Sequence, residues 1–108
     1  MQNLAGEFVK ASTETVTNAA SAATGKSMPA DFRVSITNAP GHNVYPISSF
    51  TWLLFYENPK DKVRARAMAD IMKWALTRGQ RFAPELGYAP LPQSVVQMEL
   101  QALNRIKL

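Results

Sequence analysis

At 108 residues the chain supports one modest domain, large enough to bury a core but with little surplus stability, so any second lobe has to come from elsewhere. Hydrophobic residues make up 46% and charged residues 19%, a balance that excludes disorder throughout. The net charge of +4 raises the question of a polyanionic partner, but the basic residues are spread out. Only Lys60, Lys62, Arg64 and Arg66 crowd together, and their spacing of two turns successive side chains to different sides of a helix. No aromatic or recognition-helix pattern accompanies them, so the cluster reads as a solvated face and not as a nucleic-acid surface.

Taken in chain order, the first element is a helix over Thr13–Thr24, rich in Ala and Thr, with Val16, Ala19, Ala20 and Ala23 on one mild apolar face and Gly25 closing it. Pro29 prevents helical continuation, and Arg33 to Thr37 alternates like a short half-exposed strand. Asn38-Ala39-Pro40-Gly41-His42-Asn43 is turn-forming and the best candidate for a boundary. Ser48 to Tyr56 follows, its centre Trp52-Leu53-Leu54-Phe55-Tyr56 apolar on both faces, which predicts a core strand covered on both sides. Asn58 and Pro59 read as cap and first turn of a helix whose stripe is Val63, Ala67, Ile71, Met72, Ala75 and Leu76, ending at Gly79. Arg66 with Asp70 and Asp70 with Lys73 stand at helical contact spacing. Gln80 to Leu86 adds a turn or two, Gly87 to Pro92 is a rigid connector, and a last helix buries Val96, Leu100, Leu103 and Ile106, with Arg105 and Lys107 near its negative end.

No catalytic, ligand-binding or metal-binding residue emerges from this reading, and no cofactor is implied. Ala20-Ser21-Ala22-Ala23-Thr24-Gly25-Lys26-Ser27 resembles a phosphate-cradling loop, but such a loop works only between a buried strand and a helix, and polar residues precede it where the strand should be. A glycine-terminated helix is the better reading. His42 is the only histidine and sits in a Gly/Asn turn, without a second His for a metal or a nucleophile to activate, so it reads as a surface residue. Asp61, Asp70, Glu85 and Glu99 fall among basic residues on predicted helices with no close pair for acid/base work. Trp52, Phe55, Trp74, Phe82 and Tyr88 lie on apolar faces and are expected in the core. With no cysteine there is no disulfide framework, and an enzyme is not expected. No run approaches a membrane span, and Met1 to Glu7 lacks the basic and apolar regions of a signal peptide.

Three stretches in order carry a resemblance: Tyr45-Pro46-Ile47-Ser48-Ser49-Phe50-Thr51-Trp52; then Met72-Lys73-Trp74-Ala75-Leu76 with Gly79-Gln80; then Leu86-Gly87-Tyr88-Ala89-Pro90-Leu91-Pro92 with Val95-Val96. Together with the opening Asn3-Leu4-Ala5-Gly6-Glu7-Phe8-Val9, the chain resembles the C-terminal third of phosphate-specific periplasmic binding proteins, the substrate-binding subunits of bacterial high-affinity ABC phosphate importers. The resemblance implies an α/β architecture, part of a two-lobed clamp in which a strand is followed by helices. It implies that residues 1–37 end the second lobe, that 38–44 cross between lobes, and that 45–108 complete the first. It also implies a periplasmic location, a membrane permease as partner of the whole clamp, and phosphate contacts that all lie in the earlier part of the family chain. No ligand residue is carried over to this sequence. Phosphate binding is therefore expected only through the complete clamp, with a complementary N-terminal chain or a second copy covering the surfaces left over. The alternative is a stand-alone structural or assembly module that pairs with another chain.

Overall fold

The computed structural model describes residues 1–24 and 28–108. Gly25, Lys26 and Ser27, and with them the decisive half of the loop-like motif, lie outside the described residues. Helix α1 (Thr13–Thr24) forms where the Ala/Thr periodicity predicts it. Its start is fixed reciprocally: Ser12 Oγ accepts from the Thr15 N–H at 3.1 Å, and Thr15 Oγ1 accepts from the Ser12 N–H at 3.0 Å. This is the capping-box arrangement, with Thr in place of Glu or Gln, and it satisfies two otherwise orphaned donors. The inward side of α1 buries Thr15, Ala19 and Ala20, and the two alanines join Ile36, Ala39 and Val44 in a first core cluster.

Helix α2 (Lys62–Leu76) begins later than expected. Its cap is Asp61, whose carboxylate accepts from the Arg64 N–H at 3.0 Å, and not Asn58. The predicted stripe also divides. Of its members Leu76 is buried and Met72 and Ala75 half-buried, on a side shared with the buried Ala65 and Ala69, which the prediction did not include, whereas Val63, Ala67 and Ile71 lie outside. Both sets obey three-and-four spacing, so periodicity alone cannot choose between them. Neither Arg66 with Asp70 nor Asp70 with Lys73 closes an ion pair among the described residues.

The expected turns past α2 are two short 3₁₀ segments, Arg78–Phe82 and Pro84–Leu86, closed by Gly87 at φ 78°, a left-handed conformation open to glycine at little cost. Gln80 ties this region together, donating to the Ala75 carbonyl at 2.9 Å and accepting from the Leu91 N–H at 2.8 Å. Helix α3 (Gln93–Leu103) then packs Val96 and Leu103 against Leu76, with Met72, Leu91, Leu100 and Ile106 around them, as a second cluster. α1 also meets this half of the chain: Thr17 Oγ1 donates to the Pro90 carbonyl at 2.7 Å. No described helix is long and apolar enough to cross a membrane.

The two predicted strands require correction. Among the described residues the only β pairing is an isolated antiparallel bridge between Gln2 and Phe8, and the strand-then-helix order gives way to helices joined by extended segments. From Phe32 to Thr37 the alternation is present, with Ile36 buried and Arg33, Ser35 and Thr37 exposed, but no neighbour supplies a ladder. Residues 51–56 are irregular and largely exposed, the reverse of the predicted covered strand. A strand needs hydrogen-bonding partners along its edges, and helices cannot provide them.

Candidate functional site

The chain exposes far more surface than a closed domain of its size. Its accessible area is 7634 Å², against roughly 5,900 Å² for a compact monomer of this mass. Its radius of gyration is 15.3 Å where about 13 Å is usual for this length, and its shortest dimension is only 17 Å. The difference of roughly 1,700 Å² exceeds the ~800 Å² that one partner contributes to a standard stable interface.

Large apolar side chains contribute to that area. Leu54 is 94% exposed and Tyr56 85% exposed, on the extended run after Trp52. Leu54, Phe55 and Tyr56 line a groove of about 720 Å³ together with Arg64, Met68 and Ile106. On α2, Val63, Ala67, Ile71 and Trp74 make a second uncovered apolar stripe at spacings of four, four and three. The aromatics expected in the core therefore lie outside it. Trp74 stacks on Phe82 with ring centroids 6.0 Å apart at the surface, Trp52 donates its indole N–H to the Phe32 carbonyl at 2.8 Å, and Tyr88 is exposed. Apolar patches of this extent mark surfaces suited to interaction with another molecule.

The turn-forming linker is, by contrast, firmly held. Residues 1–9 fold back on themselves around Asn3, whose side-chain oxygen accepts from the Ala5 and Glu7 N–H groups, both at 3.0 Å. Asn3 is buried, and its amide donates to the Val44 carbonyl at 3.2 Å. Glu7 reaches the same linker from outside: one carboxylate oxygen accepts from the Asn43 N–H at 2.7 Å, and the other is 2.8 Å from His42 Nδ1. The Asn43 N–H, then His42 and the Asn3 amide, together hold the Glu7 carboxyl well below its ordinary value, at about 2. On the other flank Asn18 donates to the Asn43 carbonyl at 2.9 Å, and the Tyr45 N–H donates to the Thr15 carbonyl at 3.1 Å.

His42 is thus at the surface, as its sequence context suggests, but with a carboxylate partner that no local pattern announces. Neither Asn3 nor Glu7 was marked by the sequence, because their bonds join positions about forty residues apart in a stretch without periodicity. Of the carboxylates weighed for catalysis, Asp61 caps α2, and burial pushes the Glu99 carboxyl up. Among the described residues no group of three or more His, Cys, Asp or Glu side chains is placed to hold a metal.

With the linker and the uncovered apolar faces described, the sequences of known proteins say what class of protein the chain is similar to. Over nearly its whole length the chain matches a segment of phosphate-binding proteins, as its resemblance suggests. It is 39% identical over 97 residues to phosphate-binding protein PstS of Xylella fastidiosa, an alignment covering 90% of this chain and 26% of that protein. Against the PstS of Methanocaldococcus jannaschii it is 39% identical, with 99% of this chain and 30% of the relative aligned. The PstS of Pasteurella multocida is 33% identical over 90% of the chain and 28% of its own length. The chain thus spans between a quarter and a third of the length of these relatives. No family model matches it.

Proposed function

We propose that the chain is the closing segment of a two-lobed phosphate-binding protein that serves ATP-driven phosphate import, and that it acts only together with the polypeptide that completes the clamp. The observation that carries this reading is the alignment of at least 90% of the chain with at most 30% of each relative compared. The excess exposed area and the uncovered apolar side chains support it independently. In this reading residues 1–37 end one lobe, residues 38–44 cross between lobes, and residues 45–108 complete the other. Residues 51–56 then become a strand when partner strands are supplied, and the stripe of Val63, Ala67, Ile71 and Trp74 becomes buried. The role is one of binding and delivery, not catalysis, in the periplasm and beside a membrane permease.

An anion such as phosphate needs several convergent donors, and by the family resemblance those contacts lie outside this chain. The 108-residue chain alone is therefore expected to show no phosphate binding by calorimetric titration. Co-expression with the N-terminal portion of one of the relatives should restore it. Micromolar or tighter binding by a verified monomer would refute the reading. The uncovered area also favours a second reading, an assembly module reused without transport. A reading frame immediately upstream encoding the remainder of the clamp would decide for transport.

A further inference from the structure

The linker at 41–44 carries two residues in positive-φ conformations, Gly41 at 124° and Asn43 at 53°; both residue types tolerate such conformations, and the bonds around them select this one among those open to the turn. The bonds arrive in two tiers. Asn3 holds the Val44 carbonyl from within the core, whereas Glu7 holds His42 and the Asn43 N–H from solvent, its own side chain 39% exposed. We propose that Glu7 is a positioning residue, a releasable clasp whose two carboxylate oxygens lock residues 42 and 43 onto the N-terminal turn and so set how far the linker can bend.

The geometry is selective. One oxygen faces His42 Nδ1, and the other serves both the Asn43 N–H and, at 3.2 Å, the Asn3 amide. Glutamine retains one acceptor oxygen and substitutes for half of this arrangement; alanine substitutes for none. The other titratable groups bonded into the cluster are His42 itself and Glu14 of α1, whose carboxylate accepts from the Asn43 side-chain amide at 3.4 Å. That the bend acts as a hinge between lobes rests on the function proposed above; the clasp itself does not.

Hydrogen–deuterium exchange of the 108-residue chain, followed on the peptide spanning 41–46, tests it. Loss of a charge-assisted bond predicts about fivefold or faster exchange there in Glu7→Ala, with a smaller increase in Glu7→Gln and no change across Gln93–Leu103. Exchange at 41–46 equal to wild type in Glu7→Ala overturns the clasp. Equal acceleration in α3 does the same, because it reports general destabilisation. If both variants fail to fold, the wild type decides: the Asn43 amide proton should titrate in one step with the Glu7 carboxyl, and independent titration refutes the contact. The hinge reading fails separately if a complemented chain binds phosphate without altering exchange at 41–46.

Discussion

The Glu7 carboxyl, held at about 2 against an ordinary 4.5, contributes stability that is fully present above about 4.5 and is lost as pH falls toward about 2. Thermal melts of wild type and Glu7→Gln across that range should therefore differ at the upper end and converge at the lower one. A constant difference would show that the side chain acts other than by accepting hydrogen bonds. Glu99 has the opposite sign: burial raises its carboxyl, so ionisation above the ordinary range opposes folding. Glu99→Gln should raise the melting midpoint at neutral pH and leave it unchanged in acid, and a lowered neutral midpoint would contradict this account. Neither effect was legible in the sequence. Glu7 follows a glycine in a short polar turn, Glu99 looks like one more polar position on an amphipathic helix, and only the fold decides which charges meet partners and which lose water.

At the scale of elements, the three helices were legible because their patterns are local. Their boundaries were less so. Asn58-Pro59 and Asp61 are both good starts for α2, and the structure chooses the later one, so Asp61→Ala should cost about 1 kcal/mol in chemical denaturation whereas Asn58→Ala should cost little. Equal losses would restore Asn58 as the cap. The two core clusters share no residue, and Ile36 and Leu76 are among the larger side chains in each. Truncating either to alanine should cost roughly 2–4 kcal/mol, a large share of what a domain this small possesses. The strands were misread for a stated reason. Their side-chain patterns exist in the sequence, but a strand also requires a neighbour, and none of the described residues supplies one.

For the molecule as a whole, an uncovered area larger than a standard half-interface predicts association. Light scattering coupled to size exclusion should find dimers or larger species at micromolar concentration, and Leu54→Lys should shift them toward monomer without loss of helical signal, since Leu54 is 94% exposed and supports nothing within the chain. A stable wild-type monomer with cooperative unfolding would show instead that these residues close their own core. The run from Leu53 to Tyr56 has a further consequence in the cell. A short, extended, apolar stretch with unpaired backbone groups is the kind of peptide that chaperones hold and proteases cut, so a copy made without its complement should be short-lived. The amount of this chain would then follow the supply of whatever covers that stretch and not its own rate of synthesis. Pulse-chase labelling with and without a co-expressed complement would expose that dependence as a difference in half-life at equal translation.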